Sequence, residues 1–340
     1  MDKKIGKLAR GCELCAKGEK LVLFITGICP RNCKYCPLSE EKKNNDVMHA
    51  NEVKTHKTKE VLKEIELSAA KGAGITGGDP LAKLSRTLKL IKAMKKKFDK
   101  KFHIHLYTST TLLTKSAIDE LKKSGLDELR VHVDIFDEKD AEKLPKIKGI
   151  FKETGIEIPT FPNEEKRIIK MILATKDKVD FYNLNQLEYA TLYEDYYKQM
   201  KWKVEEDYSV KESDKTALRV INYFKNSKLR IHYCSSEFKD QVQFTERIKL
   251  RARTVAKKYD EITKEGMLFR GAINADKKEL NKIKKQLEKH KIPCEIDKQK
   301  SRVLFPAKLA NQVAKQFKRV SVVEEYPTRE HLEVYEEFLS

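Results

Sequence analysis

Five of the seven cysteines in this 340-residue chain fall within its first 36 residues. They are Cys12, Cys15, Cys29, Cys33 and Cys36; Cys234 and Cys294 lie far away. The last three of the five, spaced Cys29-x-x-x-Cys33-x-x-Cys36, follow an apolar run over 21–28 that reads as a strand ending near Gly27. Three thiolates in one loop can hold three corners of a cubane iron–sulfur cluster and leave the fourth iron open to a small chelating molecule. The competing reading is a zinc knuckle that borrows a fourth ligand. Zinc sites commonly pair their cysteines as two short arms, whereas here the three sit together after a strand.

A second stretch carries chemistry of another kind. Residues 72–81 read Gly-Ala-Gly-Ile-Thr-Gly-Gly-Asp-Pro-Leu, a short strand that ends in glycines and an acid. Glycine lets backbone approach a ligand closely, and a carboxylate suits an ammonium group. Taken alone, the stretch also reads as an ordinary strand-to-helix turn. About 40 residues after the cysteine loop, with Tyr35 just before the third cysteine, it completes a pattern that resembles the radical S-adenosylmethionine superfamily.

That resemblance implies a [4Fe-4S] cluster on Cys29, Cys33 and Cys36, with S-adenosylmethionine chelating the open iron. It implies that an electron from the cluster splits the cofactor and that the 5′-deoxyadenosyl radical takes hydrogen from a substrate. By analogy with the family, Tyr35 packs near adenine, while Gly77, Gly78 and Asp79 receive the cofactor's amino group. The family has Glu where this chain has Asp79, one methylene shorter, and the carbonyls of Gly77 and Gly78 are then the alternative acceptors. An electron donor such as a ferredoxin or flavodoxin is also implied.

The elements that position these motifs follow from hydrophobic periodicity. Strands are expected at 21–26, 73–76, 102–107, 129–135, 156–160, 179–184 and 229–233, with helices between; Leu81, Leu84, Leu88, Ile91 and Met94 recur three and four apart. Such alternation predicts an α/β fold of parallel strands with right-handed crossovers. In the family this takes the form of a partial (β/α)6 barrel, with the site at the C-terminal ends of the strands. His103, His105 and Tyr107 alternate with apolar residues, as do Arg130, His132 and Asp134. The apolar set should face the helices and the polar set the interior. His105, Tyr107, Arg130, His132 and Asp134 are therefore candidates for catalysis, and Thr108, Ser109 and Asn183, with Asn185 and Glu188 at the same strand end as Asn183, for binding.

The remaining cysteines leave alternatives open. Cys12 and Cys15 form a C-x-x-C pair, and Cys234 with His232 ends the last expected strand. Meeting there, the four could hold zinc, mononuclear iron or an auxiliary cluster. Cys12 and Cys15 also read as a redox dithiol and Cys234 as a buried thiol. Cys294 reads as a small core residue.

The chain divides into an N-terminal segment 1–19, a barrel 20–235, a basic linker helix 236–265 and a C-terminal part 266–340. The order strand, helix, two strands, helix, strand in the last part matches a ferredoxin-like α+β plan, closed by an acidic tail. Net charge is +19, and residues 227–320 carry 25 Lys and Arg against 11 Asp and Glu. A localised positive field attracts polyanions, so RNA, most plausibly transfer RNA, is the expected partner and RNA modification the expected activity. The alternatives are a radical activase or modifier of a protein or peptide, and a non-catalytic iron–sulfur RNA-binding sensor. The charge is equally how heat-adapted surfaces are built. No apolar run approaches the roughly 20 residues of a membrane span, and no signal-peptide pattern opens the chain, so a cytoplasmic enzyme is expected. The sequence does not fix an oligomeric state.

Overall fold

The computed structural model describes residues 3–340. They form two compact units: the first runs through residue 244 except for 67–69, and the second takes 245–340 together with 67–69. The four-part division read from the sequence is finer than these two units. Residues 3–19 belong to the first unit. The expected basic helix 236–265 is a π-helical segment, Phe238–Phe244, in the first unit and an α-helix, Thr245–Val255, in the second.

The first unit holds ten strands: β1 (Lys3–Ile5), β2 (Lys20–Phe24), β3 (Met48–Ala50), β4 (Val53–Thr55), β5 (Gly72–Thr76), β6 (His103–Ser109), β7 (Glu128–His132), β8 (Glu153–Thr160), β9 (Phe181–Gln186) and β10 (Ile231–Cys234). They form one sheet in the order β1-β10-β9-β8-β7-β6-β5-β2-β3-β4. The seven strands from β2 and β5 through β10 run parallel in chain order, so each connection steps to the adjacent strand. β1 pairs antiparallel with β10, and β3 pairs antiparallel with β2.

Alternation along the strands decides what faces where. Leu21 and Leu23, Ile104 and Leu106, and Leu129 and Val131 are fully buried in the apolar layer under the helices. Those helices bury one stripe each: in Leu84–Phe98, Leu88, Ile91 and Met94 face inward. The helix Lys115–Ser124 opens with the Thr114 hydroxyl accepting from Ala117 N–H and stops at Gly125, whose φ of 95° is left-handed. The opposite face of the sheet carries Lys20, His103, His105, Tyr107, Glu128, Arg130, His132, Glu157, Asn183 and Asn185.

The second unit contains β11 (Glu261–Ile262), β12 (Leu268–Asn274), β13 (Glu295–Asp297), β14 (Arg302–Phe305), β15 (Val320–Glu325) and β16 (Glu333–Phe338). The sheet order is β13-β14-β12-β15-β16, with β11 added on β12; every pairing is antiparallel. Helices Leu280–Lys289 and Ala310–Ala314 pack Leu280, Ile283, Leu287 and Val313 on Ile273, Val303, Phe305 and Val320. Cys294 packs against this core, half-buried. The acidic end of the chain is the exposed strand β16 rather than a loose tail.

Candidate active site

The cysteine loop starts where β2 ends, and its entry is fixed by backbone. Gly27 N–H donates to Asn45 O at 2.8 Å, and Asn44 N–H donates to Gly27 O at 3.0 Å. Segment 42–45 therefore lies directly across Gly27, where a Cβ would stand 1.5 Å from the Lys42 carbonyl oxygen. Only glycine permits that approach. Cys29, Cys33 and Cys36 are each half-buried and line one cavity of ≈ 490 Å³. Burial pushes the Cys29 and Cys36 thiols up; binding a metal demands the thiolate and overrides such a shift.

The glycine stretch closes on the same loop. Gly78 N–H donates to Thr26 O at 2.7 Å and Asp79 N–H to Ile28 O at 2.9 Å. A Cβ on Gly78 would meet the Gly27 and Ile28 carbonyl oxygens at 2.6 Å, so this turn too requires glycine. Asp79 is 1% exposed, and its carboxylate accepts four hydrogen bonds. The donors are Leu81 N–H (3.0 Å), Thr108 Oγ1 (2.8 Å), Ser109 N–H (3.1 Å) and Ser109 Oγ (2.9 Å). Asp79 thus brackets the ends of β5 and β6, and the hydroxyl hydrogens of Thr108 and Ser109 are spent on it. All three residues line the cavity, as do Gly77, Gly78, Tyr35 and His132.

Tyr35 Oη lies 2.9 Å from His132 Nε2, and its ring packs edge-on against Phe161 at 4.7 Å. Burial, with Arg31 adding repulsion, pushes the His132 ring down to about 4, so it is neutral at neutral pH. Asp134 stands just beyond β7 and receives Arg31 at 3.0 Å; Asp140 receives the same guanidinium at 2.9 Å. This pair ties the cysteine loop to the end of β7.

Deeper along the sheet lies a charged interior. Arg130, 2% exposed, reaches Glu128 and Glu157, each at 2.6 Å, Tyr107 Oη at 3.2 Å and Cys12 Sγ at 3.3 Å. His103, His105 and Glu128 offer donor atoms within 4.8 Å of one another, the only such His, Cys, Asp or Glu group among the described residues. Glu128 and the Nε2 atoms of both histidines already have partners, while the Nδ1 atom of each histidine is buried without one. Glu128 accepts from Gly11 N–H at 2.9 Å and from Arg130, and Lys20 Nζ lies 3.3 Å from His105 Nε2. Two cations beside the group oppose a third.

One expectation is corrected here. Asn183 does not reach the cavity among the described residues: its Oδ1 meets His232 Nδ1 at 2.7 Å and its Nδ2 donates to Glu157 at 2.8 Å. Asn185, one alternation further along β9, lines the cavity instead. Cys12 and His232 both meet Asn183 Oδ1, and Cys15 and Cys234 both meet the Gln243 amide. Cys12 lies against Arg130 and, at 3.7 Å, Asn183; Cys15 Sγ lies 2.6 Å from Gln243 Oε1, and the same amide donates to Cys234 Sγ at 3.4 Å.

Sequence reasoning missed Lys20, Glu157 and Lys239, all of which line the cavity. Lys20 with Val22, and Glu157 between Ile156 and Ile158, carry the same period-two signal as His105 and Tyr107. Lys239, on the π-helical segment, has no such signal; it pairs at 2.6 Å with Glu188, which the sequence places at the end of the strand before it.

Residues 23–158 match the model of the radical SAM superfamily. The chain belongs to the radical S-adenosylmethionine superfamily, whose members are enzymes using a [4Fe-4S] cluster and S-adenosylmethionine. It is similar to a Methanocaldococcus jannaschii protein named as a glycyl-radical enzyme activating enzyme: 40% identity over 356 residues, taking in 98% of this chain and 93% of that one. Among solved structures it is similar to the radical S-adenosylmethionine methyltransferase TsrM from Kitasatospora setae, with 13% identity, a TM-score of 0.39, and coverage of 57% of this chain and 41% of that one. It is also similar to coproporphyrinogen III oxidase, HemN, from Escherichia coli: 13% identity, TM-score 0.39, 65% of this chain and 56% of that one. The chain thus spans less than two thirds of either solved structure.

The residues fit the cofactors of the family. Three thiols share one loop on a cavity, and two glycines leave backbone room beside them. No helix among the described residues is long and apolar enough to cross a membrane.

Proposed function

We propose that this chain is a radical S-adenosylmethionine enzyme that activates or modifies a protein substrate. The observation that carries the reading is the 40% identity, over nearly the whole of both chains, to a protein named as an activating enzyme. The RNA partner and RNA modification expected from the charge of residues 227–320 draw no support from that relative. We read the parallel sheet as a partial (β/α)6 barrel and the second unit, from its strand order, as ferredoxin-like.

In this reading Cys29, Cys33 and Cys36 hold the cluster, and a protein reductant loads it. When bound, the cluster and S-adenosylmethionine together supply a 5′-deoxyadenosyl radical that takes hydrogen from the substrate. Carbonyls of Gly77 and Gly78 receive the cofactor ammonium, because the oxygens of Asp79 already hold two donors each. Tyr35 and His132 flank the cofactor. Thr108 and Ser109 oxygens keep lone pairs for ribose hydroxyls. His105, Tyr107, Arg130 and Asp134 shape and brace the interior.

The test is the origin of the hydrogen. Anaerobically reconstituted protein, with dithionite and S-adenosylmethionine, is incubated with deuterated cell protein or with deuterated total RNA. Mass spectrometry then reads deuterium in 5′-deoxyadenosine. Label arriving from the protein pool, and lost in Cys33→Ala, is expected; label arriving only from RNA would reverse the assignment.

A further inference from the structure

The cavity continues past the cofactor region toward the opposite end of β2. Lys20 opens that strand and points to the interior. The five-residue strand places it about 13 Å of extended chain from the end where the cysteine loop begins. It is 9% exposed and lines the cavity.

Every other cation on this floor has its acid. Arg130 holds Glu128 and Glu157, and Lys239 holds Glu188. Lys20 has no carboxylate within 4 Å among the described residues. Its one polar neighbour is His105 Nε2 at 3.3 Å. His105 is fully buried, and burial together with the charges of Lys20 and Arg130 pushes its ring well down, so the ring is neutral. Its Nε2 accepts one ammonium hydrogen, which leaves the proton of the ring on Nδ1. Two N–H groups of Lys20 remain without a protein acceptor, in a nearly enclosed position where a bare ammonium is costly.

We propose that Lys20 seats a single carboxylate that the substrate carries to the floor of the cavity. This rests on the reading of that cavity as the place where a radical enzyme's substrate enters. Two free N–H donors match the two oxygens of one carboxylate. A dianionic phosphate is disfavoured because Glu157 and Glu188 line the same cavity. The carboxylate has two sources with one chemistry: an acidic group of a polypeptide beside the reacting residue, or a free organic acid.

The test uses cluster-loaded protein with S-adenosylmethionine and three probes: acetate, N-acetyl-Gly-Asp-amide and N-acetyl-Gly-Asn-amide. Affinities are read by titration calorimetry under anaerobic conditions. At least one acidic probe should bind wild type, and roughly tenfold to a hundredfold more weakly to Lys20→Met, the range of one charge-assisted hydrogen bond. Lys20→Arg should keep most of the affinity, and the cluster absorbance of all three proteins shows whether each variant folds. Binding of the aspartyl peptide alone points to a polypeptide carboxylate, and binding of acetate alone to a free acid. No binding by either acid, equal affinity in wild type and Lys20→Met, or an asparaginyl peptide that binds as well as the aspartyl one would overturn the seat. Failure to cleave S-adenosylmethionine would sink the radical reading separately, since calorimetry does not depend on turnover.

Discussion

Replacing Asp79 with Asn separates a bracket from a ligand. The substitution keeps shape and one oxygen, but it puts an NH2 group opposite two of the four present donors. If the oxygen stays with Leu81 N–H and Thr108 Oγ1, the amide faces Ser109 N–H and Ser109 Oγ. A hydroxyl can rotate and accept; a backbone N–H cannot. One buried orphan N–H costs about 1–3 kcal/mol, and loss of charge weakens the surviving bonds, so the local cost comes to about 2–4 kcal/mol. At about 1.4 kcal/mol per decade, the Ser109 amide should exchange with deuterium roughly 30- to 700-fold faster than in wild type. Because the chain has two compact units, a single global unfolding energy is poorly defined and local exchange is the better readout. S-adenosylmethionine affinity, measured in parallel, should fall less than protection does. Unchanged Ser109 exchange with a sharply weakened cofactor would show that Asp79 is a direct ligand and that its role as a bracket is mistaken.

Other outcomes follow from the same geometry. The folded pKa of His132, about 4, lies below the unfolded value near 6.5, so the unfolded chain binds the proton first as pH falls. Its contribution is intact above about pH 6.5 and declines toward pH 4 by about 3 kcal/mol; urea midpoints across that window should slope less in His132→Gln. Arg130→Met leaves Glu128 and Glu157 buried without their cation and should cost about 3–5 kcal/mol, visible as an earlier urea transition that Arg130→Lys only partly restores. Gly27→Ala forces segment 42–45 off the cysteine loop, so limited proteolysis within 38–47 should quicken several-fold and iron retained after desalting should drop.

What the sequence revealed was local. The cysteine spacing, the glycine stretch and the alternating polar residues of β6 and β7 each lie within a dozen residues, and every expected parallel strand is found within a few residues of its place. Strand periodicity is set by neighbours along the chain, which is why it could be read. The partners of Asp79, by contrast, lie about 30 residues away at the end of β6, and nothing in Gly-Gly-Asp-Pro announces them. Asn183 and Asn185 look equivalent in sequence and both donate to Glu157; what distinguishes Asn183 is that its oxygen is taken by His232 and Cys12, while Asn185 lines the cavity. The partners of the C-x-x-C pair were hidden for the same reason. Helix Arg10–Ala16 carries Cys12 to Arg130 and Cys15 to Gln243, contacts more than 100 residues apart.

The pairing of β1 with β10 has a consequence for biosynthesis. The last parallel strand leaves the ribosome about 200 residues after Cys36, and at roughly 5–20 residues per second that is a delay of about 10–40 seconds. Throughout it, three neighbouring thiols stand in water on an unfinished sheet whose first strand is still waiting for its mate. Metal delivery to this protein is therefore a race between cofactor assembly and adventitious oxidation, run before the nascent chain has closed around its most reactive loop.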